Sequence, residues 1–388
     1  MTIKGKAYIV GAYEHPTRKA PDKTVPQLHY ECARGALADA GLTFDDVDGY
    51  FSAGDAPGMG GVNMVDYMNL KVRHIDSTET GGSSYLIHVA HAAEAIAAGR
   101  CNVALITLAG RPRSEGHSGA APRVFPPNVA DAPFEAPYGL VTINSYAMCA
   151  ARHMHEFGTT AEQLAWVKVA ASHHAQYNEH AMLRDVVTVE DVVGSPLIAD
   201  PLHRLDCCVV SDGGGALVVV KPEIARSLKR PLVKVIGAGE HIKGQNGGDI
   251  DLTYSAGIRS GQAAFEEAGV SRSDIKYVSI YDSFTITVLM QLEDLGFCEK
   301  GKGGAFVADG NLISGVGKLP FNTDGGGLCN NHPMNRGGIT KVIEAVRQLR
   351  GEAHPKVQVP NCDIALAHGT GGLLGHRHAG ATLIMERE

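Results

Sequence analysis

The side chains best suited to chemistry in this sequence are serines, histidines and a tyrosine that stand beside glycines. Ser83 and Ser84 follow two glycines in STETGGSSYLIHVAHAAEAIAAG, and an amphipathic helix is predicted directly after them. The free backbone N–H groups at a helix start hold anions and lower the pKa of a nucleophile. Serine is also a preferred helix cap. Ser83 is therefore a candidate nucleophile, cap or oxyanion donor, and a nucleophilic serine needs an adjacent base.

Two histidines could supply that base or a general acid, because histidine titrates near neutral pH. His332 lies in the glycine-rich stretch NTDGGGLCNNHP, and His368 lies in HGTGG at the end of the predicted strand Asp363–Ala367. Strand ends beside glycine turns often carry functional residues. A loop histidine bonded only to backbone is the alternative for His332. We expect both histidines in a site, with Gly371 and Ser84 as oxyanion or structural support.

A tyrosine and an aspartate follow another predicted strand, Tyr277–Ile280. Tyr281 can move a proton, although a buried tyrosine more often packs with its hydroxyl satisfied. Asp282 could hold backbone N–H groups and so support the site. The candidate residues therefore stand on separate segments, and the fold must bring them together.

The composition indicates a soluble, globular chain of two or three domains. It has 388 residues, of which 44% are hydrophobic and 20% charged, and a formal net charge of -7. That charge argues against nucleic-acid binding. We find no signal peptide and no apolar run of the roughly 18 residues that a membrane span needs. We therefore expect a cytoplasmic protein.

The cysteines and histidines do not have the spacing of a metal site. None of the eight cysteines forms a CxxC pair, so we predict free thiols and no metal. Cys207 and Cys208 precede a predicted strand and are expected to be core thiols. His173, His174 and His180 lack regular ligand spacing, so packing or surface exposure is expected.

Repeated units predict a duplicated α/β chain. The segment Tyr30–Gly54 and the segment Ser260–Phe284 each read as a helix, Ala-Gly, an acidic connector and an apolar strand. Gly81–Ile106 and Gly337–Gly372 each begin with two glycines, a helix and a strand. Helices alternating with strands favour sheets covered by helices.

The duplication sets the expected domains. We predict a first half over residues 1–235 and a second half over residues 236–388. The first half contains an insertion over about residues 111–200, which begins with prolines and glycines and continues in helices around Ala147–Phe157 and Ala161–Asn178. A long connection of this kind is typical of a lid or a ligand-facing subdomain.

Three motifs carry a resemblance to a known family. They are ADPLHRLDCCVVSDGGGALVVV at Ala199–Val220, YDSFTITVLMQLEDLGFCEKG at Tyr281–Gly301, and NTDGGGLCNNHP at Asn322–Pro333. With the duplication, they resemble the thiolase superfamily, in the branch of the sterol-carrier-protein-x-type thiolases. The resemblance implies a duplicated thiolase fold with αβαβα layers, a homodimer, and coenzyme A carried only as part of an acyl-CoA substrate.

The resemblance also implies that the catalytic set is atypical. A typical thiolase presents a nucleophilic cysteine at the start of the helix after the Gly-Gly turn, and counting back from Gly99 places Ser83 there. The family histidine matches His332. The second family cysteine falls on His368, and the asparagine or histidine of a third loop falls on Tyr281. The acyl-accepting cysteine is therefore missing.

These replacements lead to one expected function and two alternatives. We expect an enzyme that makes or breaks a carbon–carbon bond in an acyl-CoA thioester by acid–base chemistry of retro-aldol or Claisen type. Some members of this branch without the cysteine look like side-chain aldolases, which work with a small partner carrying a zinc ribbon and an oligonucleotide-binding-type barrel. The alternatives are a serine-dependent acyltransferase and a non-catalytic subunit that binds acyl-CoA or acts as a scaffold.

Overall fold

The computed structural model describes residues 2–118, 132–139, 141–333 and 337–388. The strands of this part of the chain are numbered in chain order: β1 (Tyr8–Glu14), β2 (Gly49–Phe51), β3 (His74–Asp76), β4 (Val103–Gly110), β5 (Leu197–Ala199), β6 (Leu202–His203), β7 (Gly213–Val220), β8 (Val233–Lys243), β9 (Tyr277–Ile280), β10 (Ile364–Gly372) and β11 (His378–Arg387).

The α-helices are numbered in the same way. They are α1 (Val25–Ala40), α2 (Gly61–Tyr67), α3 (Ser84–Ala97), α4 (Ala132–Glu135), α5 (Thr142–Phe157), α6 (Ala161–Ala175), α7 (Val189–Val193), α8 (Pro222–Ser227), α9 (Gly257–Ala268), α10 (Thr285–Asp294), α11 (Gly303–Val307), α12 (Gly326–Cys329) and α13 (Gly338–Arg350). None of the helices in the described residues is both long and apolar enough to cross a bilayer.

The sheet shows the predicted duplication. Its strand order is β3-β2-β4-β7-β1-β8-β11-β10-β9, with a short β5–β6 pair outside it. In one half β2 runs parallel to β4, and β4, β7 and β1 then pair antiparallel. In the other half β9 runs parallel to β10, and β10, β11 and β8 then pair antiparallel. The two halves therefore have the same order and directions, and they meet where β1 pairs with β8.

Equivalent helices take equivalent places in the two halves. Helix α1 packs on β1, β4 and β7, and α9 packs on β8 and β11. Helices α3 and α13 contact strands of both halves and each other, so they form a central layer. Their apolar faces share one buried cluster with both sheet halves, while α1 and α9 lie in separate clusters. The mixed α/β fold with αβαβα layers is confirmed.

The helix stops that the sequence predicts have a direct cause. Helix α1 ends at Gly41 with φ +71°, and α9 ends at Gly269 with φ +65°. Glycine adopts this left-handed conformation at little steric cost because it has no Cβ atom, and its N–H then bonds a carbonyl of the last turn. The same cap in the same place supports the internal repeat.

The insertion lies between β4 and β7. In the described part it contains the helices α5, α6 and α7 and the β5–β6 pair. The corresponding connection in the second half, from β10 to β11, is only residues 373–377. The prolines and glycines that open the predicted insertion partly lie outside the described residues, at 119–131 and 140. The domain boundaries at 111–200 and at residue 235 stay predictions.

The close approach of α3 and α13 predicts a stability defect. A Cβ atom on Gly338 would lie 1.8 Å from the carbonyl oxygen of Gly82, which is backbone and has no rotamer to change. We expect Gly338→Ala to lower the free energy of unfolding by about 2 kcal/mol or more. Urea unfolding followed by circular dichroism measures this loss.

Gly244 provides the matched control, since a Cβ atom there meets nothing within 4 Å. We expect Gly244→Ala to change the free energy of unfolding by less than about 0.5 kcal/mol. Equal effects of the two substitutions would mean that the two helices do not approach as closely as the structure has them.

Candidate active site

Tyr281 and His332 form the centre of the candidate site. The Tyr281 hydroxyl lies 2.9 Å from Nε2 of His332, and the two rings meet edge to face with centroids 5.4 Å apart. Both side chains are buried. Tyr281 directly follows β9, and His332 lies in the loop after α12. Two predicted site residues that are 51 positions apart in the chain are therefore in hydrogen-bond contact.

The loop that carries His332 is held by buried polar groups. The Asn322 side chain accepts from the N–H of Ile280 and donates to its carbonyl, at 2.9 and 2.8 Å. The backbone N–H of His332 donates to Oγ of Ser211 at 3.0 Å. These bonds join the His332 loop to β9 at one end and to the segment before β7 at the other.

Asp282 acts as the support that the sequence suggests. Its carboxylate accepts from the N–H groups of Gly327 and Leu328 at 2.8 and 3.1 Å, at the start of α12. Nζ of Lys341 on α13 lies 3.0 Å from the same carboxylate, and both residues are almost fully buried. Burial alone would lower the pKa of Lys341, but the negative charges of Asp282 and Asp324 and the hydrogen bond to Asp282 together outweigh it, so the pKa lies above its ordinary value.

A second buried lysine holds the other end of the same short helix. Nζ of Lys168 on α6 donates to the carbonyl of Leu328 at 2.7 Å and lies 3.1 Å from Sγ of Cys329. A cation at the carboxyl end and an anion at the amino end both suit the helix dipole. The loop is therefore fixed by charges from three elements: the turn after β9, α6 and α13.

Burial keeps the Tyr281–His332 pair uncharged. It lowers the pKa of His332 to about 4 and raises the pKa of Tyr281 well above its ordinary value. At neutral pH the pair is a phenol and a neutral imidazole. Either the Tyr281 O–H donates to Nε2 of His332, or the Nε2–H of His332 donates to the Tyr281 oxygen. Such a pair can pass a proton without holding a permanent charge.

The two serines of the glycine turn hold that turn together. The Ser83 hydroxyl donates to the carbonyl of Thr80 at 2.9 Å, also lies 3.0 Å from Oγ1 of Thr80, and makes no capping bond to α3. Oγ of Ser84 accepts from the N–H of Thr80 at 2.8 Å. Both hydroxyls therefore bond within the turn, and their roles in the site stay predictions.

A side chain on residue 82 would point at Tyr281, whereas the Ser83 side chain points back into the turn. A Cβ atom on Gly82 would lie 2.4 Å from Cε2 of Tyr281 and 2.5 Å from the carbonyl oxygen of Thr370. The assignment of Ser83 to the nucleophile position rests on the family resemblance and stays a prediction. The Tyr281 ring fills the space in which a side chain on residue 82 would stand, so this position carries no nucleophile.

The His368 carbonyl accepts from the N–H of Tyr281 at 2.9 Å, but the His368 side chain does not reach the Tyr281–His332 pair, and the expectation that His368 follows the end of a strand is wrong. Strand β10 continues to Gly372, so His368 is inside it. Its Nδ1 lies 2.8 Å from Oγ1 of Thr382 on β11, and its ring faces Gly257 on α9. Burial lowers the pKa of His368 to about 3. Its side chain is not among those that line the pocket described next.

Tyr281 and His332 open into a pocket of about 160 Å³. Gly371 lines this pocket and lies so close to the Gly81 turn that a Cβ atom on it would meet the Thr80 carbonyl oxygen at 1.6 Å. The other lining residues are His117, Ser118, Thr142, Tyr146, Cys208, Val210, Ser283, Phe284, Thr370 and Gly372.

Sequence reasoning missed several polar residues of this pocket, among them Ser283, Cys208 and Tyr146. Ser283 lies two residues after Tyr281, at the cysteine position of the His-Asp-Cys-Phe segment that YDSF resembles, and this was the available signal. Cys208 was expected to be a core thiol but lines the pocket, and burial raises its pKa. Tyr146 stacks on Phe284 with centroids 4.3 Å apart, and nothing in its local sequence marks it.

The described residues contain no cluster of three or more histidine, cysteine or acidic side chains that could hold a metal ion.

Known proteins are similar to this chain both in sequence and in fold. The family described as Thiolase C-terminal domain-like matches residues 239–387. The acetyl-CoA acetyltransferase of Methanothermobacter thermautotrophicus is 33% identical over 379 residues, covering 95% of this chain and 96% of that protein. A steroid side-chain-cleaving aldolase of Thermomonospora curvata is 36% identical over 364 residues, covering 90% and 91%. The solved Ltp2–ChsH2(DUF35) aldolase is 33% identical with a TM-score of 0.88, covering 99% of this chain and 98% of the other.

The Asp282–Lys341 pair predicts a strong effect of removing one partner. Lys341→Met leaves the Asp282 charge buried without its cation, and we expect a loss of about 3–5 kcal/mol in the free energy of unfolding. The double variant Asp282→Asn/Lys341→Met removes that unpaired charge and should recover part of the loss. Lys318→Met, on an exposed lysine, is the control. Equal unfolding midpoints for Lys341→Met and Lys318→Met would contradict the pairing.

The buried histidines predict acid sensitivity. Burial lowers the pKa of His332 to about 4 and those of His368 and His378 to about 3, below the ordinary value of 6.5. Below pH 6.5 the unfolded chain binds protons that the folded chain does not. Stability is therefore complete above pH 6.5 and falls on acidification, by about 1.4 kcal/mol per pH unit for each such histidine.

Substituting one of these histidines measures its contribution to the pH dependence of the free energy of unfolding. We expect His378→Gln to make the free energy of unfolding fall less steeply between pH 6.5 and 5, in urea titrations at several pH values. His241→Gln, on an exposed histidine, should leave the slope as it is in the unsubstituted protein. An unchanged slope for His378→Gln would show that this histidine is protonated in the folded state.

Proposed function

The chain belongs to the thiolase superfamily, and from this premise we propose that it is an enzyme that breaks or forms a carbon–carbon bond in an acyl-CoA thioester by acid–base chemistry, without an acyl-enzyme. The names of the relatives support both an acyl-CoA substrate and the cleavage of a carbon–carbon bond. One is an acetyl-CoA acetyltransferase and another a steroid side-chain-cleaving aldolase. We place the chain with the aldolase type and propose a retro-aldol reaction.

The observation that carries this proposal is the contact between Tyr281 and His332, together with glycine at residue 82. The contact of 2.9 Å sets a proton-transfer pair in the pocket. Tyr281 occupies the space in which a side chain of residue 82 would stand. The phenol of Tyr281 and its contact with His332 therefore support proton transfer as the chemistry of this pocket.

The pair can perform each proton step of a retro-aldol cleavage. The oxygen of Tyr281 accepts the proton of a hydroxyl on the β-carbon of the acyl group while its own proton passes to Nε2 of His332. The Cα–Cβ bond breaks, the β-carbon becomes a ketone or aldehyde carbonyl, and the electron pair moves into the thioester as an enolate. The imidazolium returns the proton through Tyr281 to the α-carbon, so the pair is restored.

The pKa values of the two residues suit this sequence of proton transfers. Burial disfavours both the imidazolium and the phenolate, as the pKa directions of the two residues indicate. The imidazolium therefore persists only beside the enolate, whose opposite charge stabilises it, and it returns its proton readily.

The serine-dependent alternative is less favoured. The Ser83 hydroxyl is engaged with Thr80 and has no contact with His332 among the described residues. The non-catalytic alternative is less favoured because Tyr281 and His332 form a proton-transfer pair that an acyl-CoA-binding scaffold would not need.

We further propose a small partner subunit and a homodimer. The sequence resemblance implies a partner with a zinc ribbon and an oligonucleotide-binding-type barrel. The name of the solved aldolase joins two proteins, Ltp2 and ChsH2(DUF35), and so supports a partner. Coenzyme A enters only as part of the substrate. The homodimer rests on the family resemblance alone.

The proposal predicts distinct effects of three substitutions on cleavage of β-hydroxyacyl-CoA thioesters. Tyr281→Phe and His332→Gln should each lower kcat about 100-fold or more, because each removes a proton-transfer group. Ser83→Ala should keep most of the activity. Mass-spectrometric detection of the acyl-CoA and carbonyl products, with and without co-expressed partner, measures the rates.

Two outcomes separate the alternatives. Loss of activity in Ser83→Ala, together with an acyl mass on that residue in the unsubstituted protein, would establish the acyltransferase instead. Tight acyl-CoA binding without cleavage of any thioester, with the partner present, would establish the non-catalytic role.

A further inference from the structure

A carboxylate of the first half binds the loop that carries His332. Glu14 is the last residue of β1, a strand in the middle of the sheet, and only 6% of its side-chain surface is exposed. Asn330 and Asn331 directly precede the histidine, and their side-chain amides both donate to Oε1 of Glu14. We propose that Glu14 is a positioning residue, which sets the place of His332 for proton transfer with Tyr281. This inference rests on the proposed function and deepens it by naming what holds the pair from the first half.

Two arginines keep Glu14 in its charged form. Nη2 of Arg18 donates to Oε1 of the carboxylate, and Nη1 of Arg347 on α13 donates to Oε2 at 3.2 Å. Burial alone would raise the pKa of Glu14, but these two charges and the two asparagine amides outweigh it and lower the pKa to about 2. The loop is therefore bound to an anion at neutral pH, and hydrogen bonds to a charged group are stronger than those between neutral groups.

Arg18 also binds the loop directly. Its Nη2 donates to Oδ1 of Asn330 at 2.7 Å, and its Nε donates to the carbonyl of the same residue at 3.2 Å. Nδ2 of Asn330 reaches the carboxylate of Asp324 at 3.0 Å as well. The backbone and the side chain of Asn330 are thus both tied to the segment that ends β1 and continues past it.

This anchor is close enough to set the position of the imidazole. Consecutive Cα atoms lie about 3.8 Å apart, so residue 331 fixes where the backbone of His332 begins. A proline disfavours helical backbone in the residue before it, and Pro333 therefore restricts the histidine on its other side. The N–H of His332 is held by Ser211. With its backbone fixed in these three ways, the ring has little freedom to leave the Tyr281 hydroxyl.

Glu14 acts on the loop and not on the substrate, since it is not among the described residues that line the pocket. Asp282 holds the start of α12 from the second half, whereas Glu14 holds the end of the loop from the first half. Both anions are paired with cations of α13, which are Lys341 and Arg347. A displacement of β1 would therefore change the geometry of the proton-transfer pair without touching the pocket.

Two substitutions weaken the anchor, and a third is the matched control. Glu14→Gln removes the charge but keeps the length of the side chain, and Asn331→Ala removes one link from the loop side. The control is Glu267→Gln, because the Glu267 carboxylate also joins the two halves. It accepts from the N–H groups of Ile3 and Ala238 at 2.9 and 3.1 Å and has no contact with the loop among the described residues.

The first measurement does not need turnover. Protein labelled with ¹³C at Cε1 of histidine gives one NMR signal for His332, which is identified by its absence from His332→Gln. Its chemical shift is sensitive to the Tyr281 ring, which meets the imidazole edge to face. We expect this signal to move in Glu14→Gln and in Asn331→Ala, and to keep its position in Glu267→Gln.

The second measurement is the rate of cleavage of β-hydroxyacyl-CoA thioesters. Glu14→Gln should lower kcat about tenfold or more and change KM less than about threefold, because a displaced proton-transfer group slows the chemical step and leaves the substrate contacts in place. In the His332→Gln background the same substitution should lower kcat no further. Glu267→Gln should leave kcat as it is in the unsubstituted protein.

Other results would overturn the inference. They are an effect of Glu14→Gln on kcat that persists in the His332→Gln background, and a His332 signal that stays in place or moves equally in Glu267→Gln. If Glu14→Gln does not fold, Asn331→Ala decides by the same criteria. A signal that moves as expected in a protein without cleavage would contradict only the proposed function. Cleavage with an unmoved signal and an unchanged kcat in Glu14→Gln would contradict only this inference.

Discussion

One buried carboxylate, that of Asp282, determines whether this chain has an active site. It binds two backbone N–H groups of the loop that carries His332, and it follows Tyr281 directly in sequence. The contact between Tyr281 and His332 therefore depends on this carboxylate, which also lies 3.0 Å from Nζ of Lys341. Because Lys341 lies on a central helix, the position of the site also depends on the packing between the two halves of the fold.

The duplicated fold explains why this place suits proton transfer. Helices α3 and α13 begin side by side at the centre of the molecule, and their glycine turns approach too closely for side chains. Because residue 82 is a glycine, the Tyr281 ring can lie where a side chain of residue 82 would otherwise be. The segment between β4 and β7 supplies most of the apolar lining of a neighbouring cavity, which shares Cys208, Val210 and Phe284 with the pocket of the pair.

Much of the fold could be predicted from the sequence, because the repeated units carry local signals such as the Ala-Gly helix stops. Tyr281, Asp282 and His332 could also be identified, since each lies in a recognisable motif. The direction of the Ser83 side chain could not be predicted, because the side chains of neighbouring residues in a helix point about 100° apart. The predicted end of β10 was wrong, because the glycines after His368 indicate a turn but continue the strand to Gly372. Cys208 and Tyr146 reach the pocket through tertiary packing, for which their local sequence has no signal.

The central claim is that Tyr281 and His332 move the proton of an enolate, without an acyl-enzyme at Ser83. The most direct measurement is the rate of deuterium uptake from D₂O into the α-carbon of the acyl-CoA product, for Tyr281→Phe and Ser83→Ala beside the unsubstituted protein. The account predicts uptake in the unsubstituted protein and in Ser83→Ala, and its loss in Tyr281→Phe. Uptake that persists in Tyr281→Phe, or disappears in Ser83→Ala, would contradict it.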